Sequence, residues 1–407
     1  MTDILSDGKS GRTETPRSPS VYVIAGEASG DWAGSLLARV LRERLPSIVL
    51  RGIGGRRMAA AGVELVADSS GWGAIGVSDA LLRVPRVWFT LRNLHRELER
   101  TLPHCIVFID SGAVNIPLAR MTQKLNLKRL YYLPPGSWSR KPRSGALRDL
   151  VDVIAAPFPW AKELMAGGRA RVEWVGHPVL ESARPSLSPE EAWRRYELDP
   201  TRPVVAFAPG SREQELRHVL PVMVGAASLL SREWSQVQFI VPVSTPDYEK
   251  HIRDAFKSAQ IPVKLLDGME YDALQLASAA GVCSGTATLE FACLGIPMVV
   301  VYRAGTATTA QFLLLRGLFG NQWRAGMPNI IAERDIVPEL LWRYARPKAL
   351  ARELSTFLRD RARSEAVRED LGKLRESLGD GRATERTAEL VLELLEQQVG
   401  GIASAGH

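Results

Sequence analysis

Cysteine is scarce: Cys105, Cys283 and Cys293 are the only three in 407 residues. Three thiols this far apart build neither a disulfide framework nor a zinc site, whose ligands come in close pairs. No run of 18 or more apolar residues occurs, so no membrane-spanning helix is expected. Residues 1–17 are polar and lack an apolar core segment, so no secretory leader is expected either. The six histidines never fall at HxxxH and no GxSxG occurs, which leaves metal-dependent hydrolysis and serine-esterase chemistry unsupported. The phosphate-loop spacing ending in Gly-Lys-Ser/Thr is missing as well. What remains is a chain with 45% hydrophobic and 24% charged residues, enough to bury a sizeable core. Two or three domains are expected, in a cytoplasmic protein that is neither collagen-like nor disordered.

The charge is unevenly spread. The whole chain carries a net +7, yet residues 81–148 hold thirteen cations against three anions. Such a window meets something anionic: a phosphorylated substrate, an acidic lipid surface or nucleic acid. After Pro85, a good first helical residue, Val87, Leu91, Leu94 and Leu98 recur on one helical face, with Arg92, Arg96 and Arg100 beside it. One reading is a core-packed helix with a solvated basic face. The other is an interfacial element in which Trp88 and Phe89 enter a lipid boundary while Arg83, Arg86, Arg92 and Arg96 meet phosphates. No aromatic-basic motif for nucleic acid is visible, so lipid is the favoured partner and no nucleic acid is expected.

Short apolar runs alternate with helical periods twice over. Candidate strands lie at 21–25, 47–52, 105–109, 129–133, 151–156 and 172–175, then at 204–208, 238–243, 263–266, 281–283 and 298–302. Runs of about five β-branched residues between helices indicate parallel sheets covered on both faces. The polar stretch 181–191 reads as a linker, and everything from Pro338 onward reads as amphipathic helix. The expected organisation is therefore a tail (1–18), a first Rossmann-like doubly wound domain (19–178) and a second (179–345). A helical C-terminal region (346–399) and a loose tail (400–407) follow. Sheets of this α/β class bind ligands at the carboxyl ends of their strands, so two in tandem place the site in the cleft between them.

Several strand ends carry suitable chemistry. In the second half, Gly210, Ser211 and Arg212 follow a strand, and Gly285 and Thr286 open a helix after another. Glycine lets backbone approach an anion, helix-start amides attract it, and a guanidinium holds it. Glu290, one turn into the second of these helices, is placed to reach a ribose diol. In the first half, Glu27, Ser29, Gly30 and Asp31 form a tight loop after the first strand. Asp110 ends the strand at 105–109, where a carboxylate serves as a general base. Each has a plain alternative as a helix cap, open on sequence alone. His177 abuts the linker and is read as a hinge or packing residue.

Taken in order, the segments at 25–31 (AGEASGD), 52–64, 108–110 with Asn115 beyond, 175–181, 208–216, 284–290 (SGTATLE), 295–303 and 327–329 (MPN) resemble the lipid-A-disaccharide synthases. These are glycosyltransferases of GT-B type. The resemblance implies a reaction joining UDP-2,3-diacylglucosamine to 2,3-diacylglucosamine 1-phosphate through a β-1,6 link, with inversion, release of UDP, no bound metal and no other cofactor. It implies work at the cytoplasmic face of the inner membrane on an anionic lipid surface, and permits a homodimer that exchanges C-terminal elements. It places Asp110 on the family's candidate catalytic aspartate. Arg212, Glu290 and Asn329 fall on donor positions, and Glu27, Ser29 and Asp31 on the first-half cleft loop. The chain departs from the family pattern at Ala113, where a second aspartate is usual, in the segment 134–140, and at Pro85. Two further readings stay open on that account: transfer to a different acceptor, and UDP-sugar binding without transfer.

Overall fold

The computed structural model describes residues 18–405 apart from 70–71, 73–76, 141–144, 304 and 306–323. Each of the eleven expected apolar runs forms a strand, and two more strands join them. The first sheet comprises β1 (Ser20–Ala25), β2 (Val49–Gly54), β3 (Glu64–Asp68), β4 (Cys105–Ile109), β5 (Lys128–Tyr132), β6 (Val153–Ala156) and β7 (Arg171–Trp174). Its order is β3-β2-β1-β4-β5-β6-β7 and every pairing is parallel. The second comprises β8 (Val204–Ala208), β9 (Gln238–Val243), β10 (Lys264–Asp267), β11 (Ala279–Cys283), β12 (Met298–Tyr302) and β13 (Glu339–Leu341). It runs β10-β9-β8-β11-β12-β13, again all parallel. Central strands such as Val21–Ala25 and Val204–Phe207 have almost no exposed surface, because helices cover both faces.

The strand order reverses once in each sheet. β1 lies beside β4, and β8 beside β11, although each pair is far apart in sequence. The loops after the two strands of each pair therefore emerge side by side, and these four loops and the helices they open carry most of the candidate residues.

One strand was not expected, and two expectations need correction. β3 is a half-buried edge strand with acidic residues at both ends, joined to β2 through a register shift at Gly52/Ile53, so it shows no apolar run. The region after Pro338 is not purely helical: three residues of β13 complete the second sheet first. The expected linker at 181–191 is helical at both ends, residues 181–182 closing the helix Val179–Ser182 and 189–191 opening the helix Pro189–Arg195. The second of these starts at a Ser188/Glu191 capping box.

The C-terminal helices divide between the halves. Pro347–Arg359 packs along the helix Glu213–Glu233, and Arg361–Ser377 against the helix Ala287–Cys293, both in the second half. The last helix, Ala383–Ala405, returns to the first half. Its Ala388, Val391, Leu394 and Leu395 share a core with Val21, Leu37 and Val107. It runs beyond residue 399, where the sequence suggests a loose tail.

The chain thus passes between the halves near 175–180 and again near 378–383. The two passages are tied together: the His177 amide donates to the Leu378 carbonyl (2.7 Å) and the Thr384 amide to Glu181 Oε1 (2.7 Å). Burial lowers the His177 imidazole to about 3, so it stays neutral and accepts a hydrogen bond from the Val179 amide at Nδ1 (3.1 Å). These contacts give His177 a packing role at the crossing.

Candidate functional site

The first switch point is built around Asp110. Both Asp110 (φ 52°) and Ser111 (φ 30°) take left-handed backbone conformations, which non-glycine residues hold only when their surroundings enforce them. The enforcement is visible. The Asp110 amide donates to the Tyr132 carbonyl (3.1 Å), and its carbonyl accepts from the Tyr131 hydroxyl (2.6 Å) and from Asn115 Nδ2 (3.0 Å). With the backbone held, the side-chain Oδ2 accepts from the Ser29 hydroxyl at 2.7 Å. Burial raises the Asp110 carboxyl, and the bonds from Ser29 and the Ser111 amide and the Arg212 charge oppose the shift. Glu27 is likewise raised, by burial and then by the Asp110 charge, with Arg212 opposing.

Three first-half candidates are supports rather than cleft groups. Asn115 is wholly buried and its Nδ2 also donates to the Ile109 carbonyl (2.9 Å), clamping the end of β4 from behind. At Gly30 a β-carbon would come within 3.1 Å of that of Ala25 and 3.3 Å of the Ile109 carbonyl, so its smallness lets the helix Ala28–Arg44 start against the sheet. Asp31 turns away from the cleft. Its Oδ1 accepts from the amides of Gly55 (2.6 Å) and Met58 (3.0 Å), and Oδ2 from that of Arg57 (3.2 Å). It caps the helix Arg56–Ala60 from outside and fixes the Gly-Gly-Arg-Arg turn.

At the second switch point the expected open amides are already filled. Gly210 takes φ 110°, and Glu215, buried one turn into the next helix, folds back beneath it. Its Oε2 accepts from the amides of Ser211 (2.8 Å) and Arg212 (3.2 Å), completing a capping box. An anion approaching this turn therefore meets side chains, not those two amides. The Arg212 guanidinium is the main one: Nη1 pairs with Glu215 Oε1 (3.2 Å), and Nη2 crosses to Glu27 Oε2 of the first half (3.3 Å). Ser211 is exposed beside it.

The neighbouring loop is the more open one. Gly285 has φ 149° with no atom within 4 Å of where a β-carbon would stand, and Thr286 is exposed. Ser284 and Thr288 brace the loop from beneath, donating to the carbonyls of Ala325 and Gly285 (2.7 Å each). Glu290 accepts from the Tyr271 hydroxyl at 2.7 Å. Its carboxyl is raised by burial, opposed by Tyr271 and by Arg57, which approaches from the first half. Asn329 belongs elsewhere: wholly buried, it donates to the Val337 carbonyl (2.8 Å) and Glu339 (2.9 Å) and accepts from the amides of Ile336 (2.8 Å) and Val337 (3.0 Å). The bonding capacity of its side chain goes to the chain itself, so that side chain knits a loop rather than facing the cleft.

The fold thus gathers Glu27, Ser29 and Asp110 opposite Arg212, with Ser211, Gly285 and Thr286 on the loops of the adjoining strands and Glu290 in the helix Ala287–Cys293. Sequence reasoning missed Glu215, Tyr271 and Arg57. Glu215 was accessible in principle, since a glutamate three residues into a helix is the signature of a capping box. Among the described residues, no cluster of three or more His, Cys, Asp or Glu is suited to a metal ion.

On the basic helix, Val77–Thr101, Leu91, Leu94 and Leu98 are buried in the core, while Trp88 and Phe89 stand 54% and 62% exposed. The Arg92 guanidinium lies 5.2 Å from the Trp88 ring, and Arg96 and Arg100 are exposed. The helix thus packs one face into the core and leaves its aromatic and basic side chains exposed on the other. The side chains of Arg83 and Arg86 lie outside the described residues. No helix among the described residues is long and apolar enough to cross a membrane.

The chain matches the model of the lipid-A-disaccharide synthetase family over residues 21–394. It is 35% identical to a lipid-A-disaccharide synthase of Syntrophus aciditrophicus over 93% of this chain and 98% of that protein. Among solved structures it is similar to a UDP-GlcNAc 2-epimerase from Neisseria meningitidis bound to UDP-GlcNAc. That likeness has a TM-score of 0.60 at 12% identity, over 92% of this chain and all of the other. It is similar also to the calicheamicin glycosyltransferase (TM-score 0.60, 15% identity, 93% and 99% of the two chains). At these identities the structural likeness speaks for the two-sheet GT-B architecture alone.

The bracket made by Asp31 is open to a direct test. Asp31→Ala strands backbone amides at a buried turn and is expected to cost about 1–3 kcal/mol of stability. Chemical unfolding of the variant and the parent protein measures it; an unchanged midpoint and slope contradict the assignment.

Proposed function

The chain belongs to the lipid-A-disaccharide synthetase family, a family of glycosyltransferases of lipid A biosynthesis, and from that premise we propose the reaction in detail. The donor is UDP-2,3-diacylglucosamine, the acceptor is 2,3-diacylglucosamine 1-phosphate, and the product is their β-1,6-linked disaccharide with UDP released. The observation that carries the reading is the meeting, in one cleft, of a half-buried carboxylate at the end of a first-sheet strand (Asp110) and a guanidinium from the second half (Arg212).

In this reading Asp110 takes the proton of the acceptor 6-hydroxyl as that oxygen attacks the anomeric carbon. The bond from that carbon to the β-phosphate oxygen breaks on the far side, its electron pair leaving with UDP, so the configuration inverts. A carboxylate raised by burial is a stronger base than an ordinary aspartate, and Ser29 holds its Oδ2 in place. The charge gathering on the leaving diphosphate is met by Arg212, itself anchored by Glu215, with Ser211, Gly285 and Thr286 lining the approach. Glu290, oriented by Tyr271, accepts from the ribose hydroxyls. No metal is assigned a step. Trp88 and Phe89 enter an anionic lipid surface while Arg92, Arg96 and Arg100 contact its phosphates, which brings the acylated substrates to the cleft.

A second reading, the same transfer to another acceptor, draws on the segment 134–140. There Trp138 leans on the second-half core, Ser137 accepts from Trp160 Nε1 (3.0 Å) and Arg140 covers the Trp160 ring (4.4 Å). Release of UDP with both acylated substrates, measured in EDTA, supports the first reading. Release only with other acceptors supports the second.

Asp110→Asn is expected to lower turnover by roughly 10²–10⁴-fold with UDP binding retained. By the same assignment, the acid limb of the parent enzyme's pH–rate profile lies above the ordinary aspartate value of 3.8, because activity needs the ionised base and burial favours the protonated one. Arg212→Ala loses a charge-assisted contact of about 1.5–3 kcal/mol, which raises the UDP dissociation constant roughly ten- to a hundredfold; calorimetry reads it. Replacing both Trp88 and Phe89 by serine weakens binding to vesicles containing anionic lipid by roughly tenfold or more. Equal vesicle binding by this variant and the parent removes the membrane assignment.

A further inference from the structure

We propose that Glu27 is a positioning residue for the donor site: it holds Arg212 across the cleft, in the place the diphosphate takes, and sets donor affinity by competing for that guanidinium. The inference rests on the reading of Arg212 as the partner of the diphosphate and adds to it what Arg212 does before the donor arrives.

The two carboxylates on Arg212 are not equivalent. Glu215 is buried, three residues away on the same helix start, and tied by its other oxygen to the amides of Ser211 and Arg212. It is part of the frame. Glu27 comes from the opposite half, on the loop after β1, and its contact with Arg212 Nη2 is a single one at 3.3 Å. Both side chains there are part-exposed, Arg212 at 44% and Glu27 at 38%. Pairs of this kind are weak because water competes for both partners. A phosphate oxygen can therefore take Nη2 from Glu27 without disturbing Nη1 on Glu215. The exchange swaps one anion for another, so Arg212 stays paired and in place throughout, and the displaced Glu27 returns to the surroundings of Asp110, whose charge it already senses.

The exchange has a signature that a merely structural role lacks: removing the competitor improves binding. Glu27→Gln keeps the shape and removes the charge, and Glu27→Ala carries the same test should the glutamine variant fold poorly. Each is expected to tighten UDP binding roughly two- to fivefold, as expected for an exposed pair, and to lower the donor KM in step. In an Arg212→Ala background the same substitution changes nothing. Unchanged or weaker UDP binding by both variants, with unfolding midpoints like the parent, overturns the proposal, as does a gain that persists without Arg212. Should Arg212→Ala alone bind UDP as the parent does, the diphosphate reading has failed and this inference falls with it, a result distinct from failure at Glu27.

Discussion

Two strands that neighbour each other in a parallel sheet, yet are distant in sequence, must deliver their following loops to the same edge. This constraint acts twice in the chain, at β1 beside β4 and at β8 beside β11. It brings Ser29 to Asp110 across 81 residues, and sets the Gly210–Arg212 turn beside the Gly285–Thr286 turn. Without the reversal in strand order the same polar residues would be scattered along sheet edges. The apolar runs therefore do more than fill a core, since their pairing decides which loops are neighbours.

The charges of the cleft follow from that geometry. Asp110 and Glu27 sit in one partly dry loop cluster, where burial disfavours ionisation of both and the Asp110 charge adds to the effect at Glu27. Arg212 is the cation that opposes both effects, and it comes from the other half of the molecule. Glu215 fixes where that cation sits, at the expense of two amides that would otherwise face an anion. Electrostatic preorganisation here rests on one arginine gripped from behind.

Much of this was legible in the sequence, for identifiable reasons. Strands such as Val204–Ala208 are continuous apolar runs because both their faces are covered, and residues ending such runs, Asp110 and Arg212 among them, are conspicuous. β3 escaped because it is a half-buried edge strand with an acid at each end, and β13 because it is an edge strand of only three residues. Asp31 was placed with the ligand because a polar residue on a glycine turn looks the same whether it faces a cleft or its own backbone, and Asn115 and Asn329 because they fall in segments that match the family. Only the bonds to the amides of 55–58, to the carbonyls at the end of β4 and within the 329–337 loop tell these cases apart. Tyr271 and Arg57 were beyond reach, since what marks them is proximity to Glu290, a relation that exists only once the chain has folded.

The return of the helix Ala383–Ala405 to the first sheet has a bearing on how the molecule comes into being. A ribosome completes β1 to β7 long before it reaches Val391, Leu394 and Leu395, which close the same core. Until then the helix Ala28–Arg44 covers only part of that face, and the apolar side chains over β4, β5 and β6 wait for the last helix, while the later-made half already has all its layers. Vectorial synthesis thus leaves the earlier-born half as the last to be finished, and a nascent chain of this architecture spends most of its emergence with a sticky surface that only its own far end can seal.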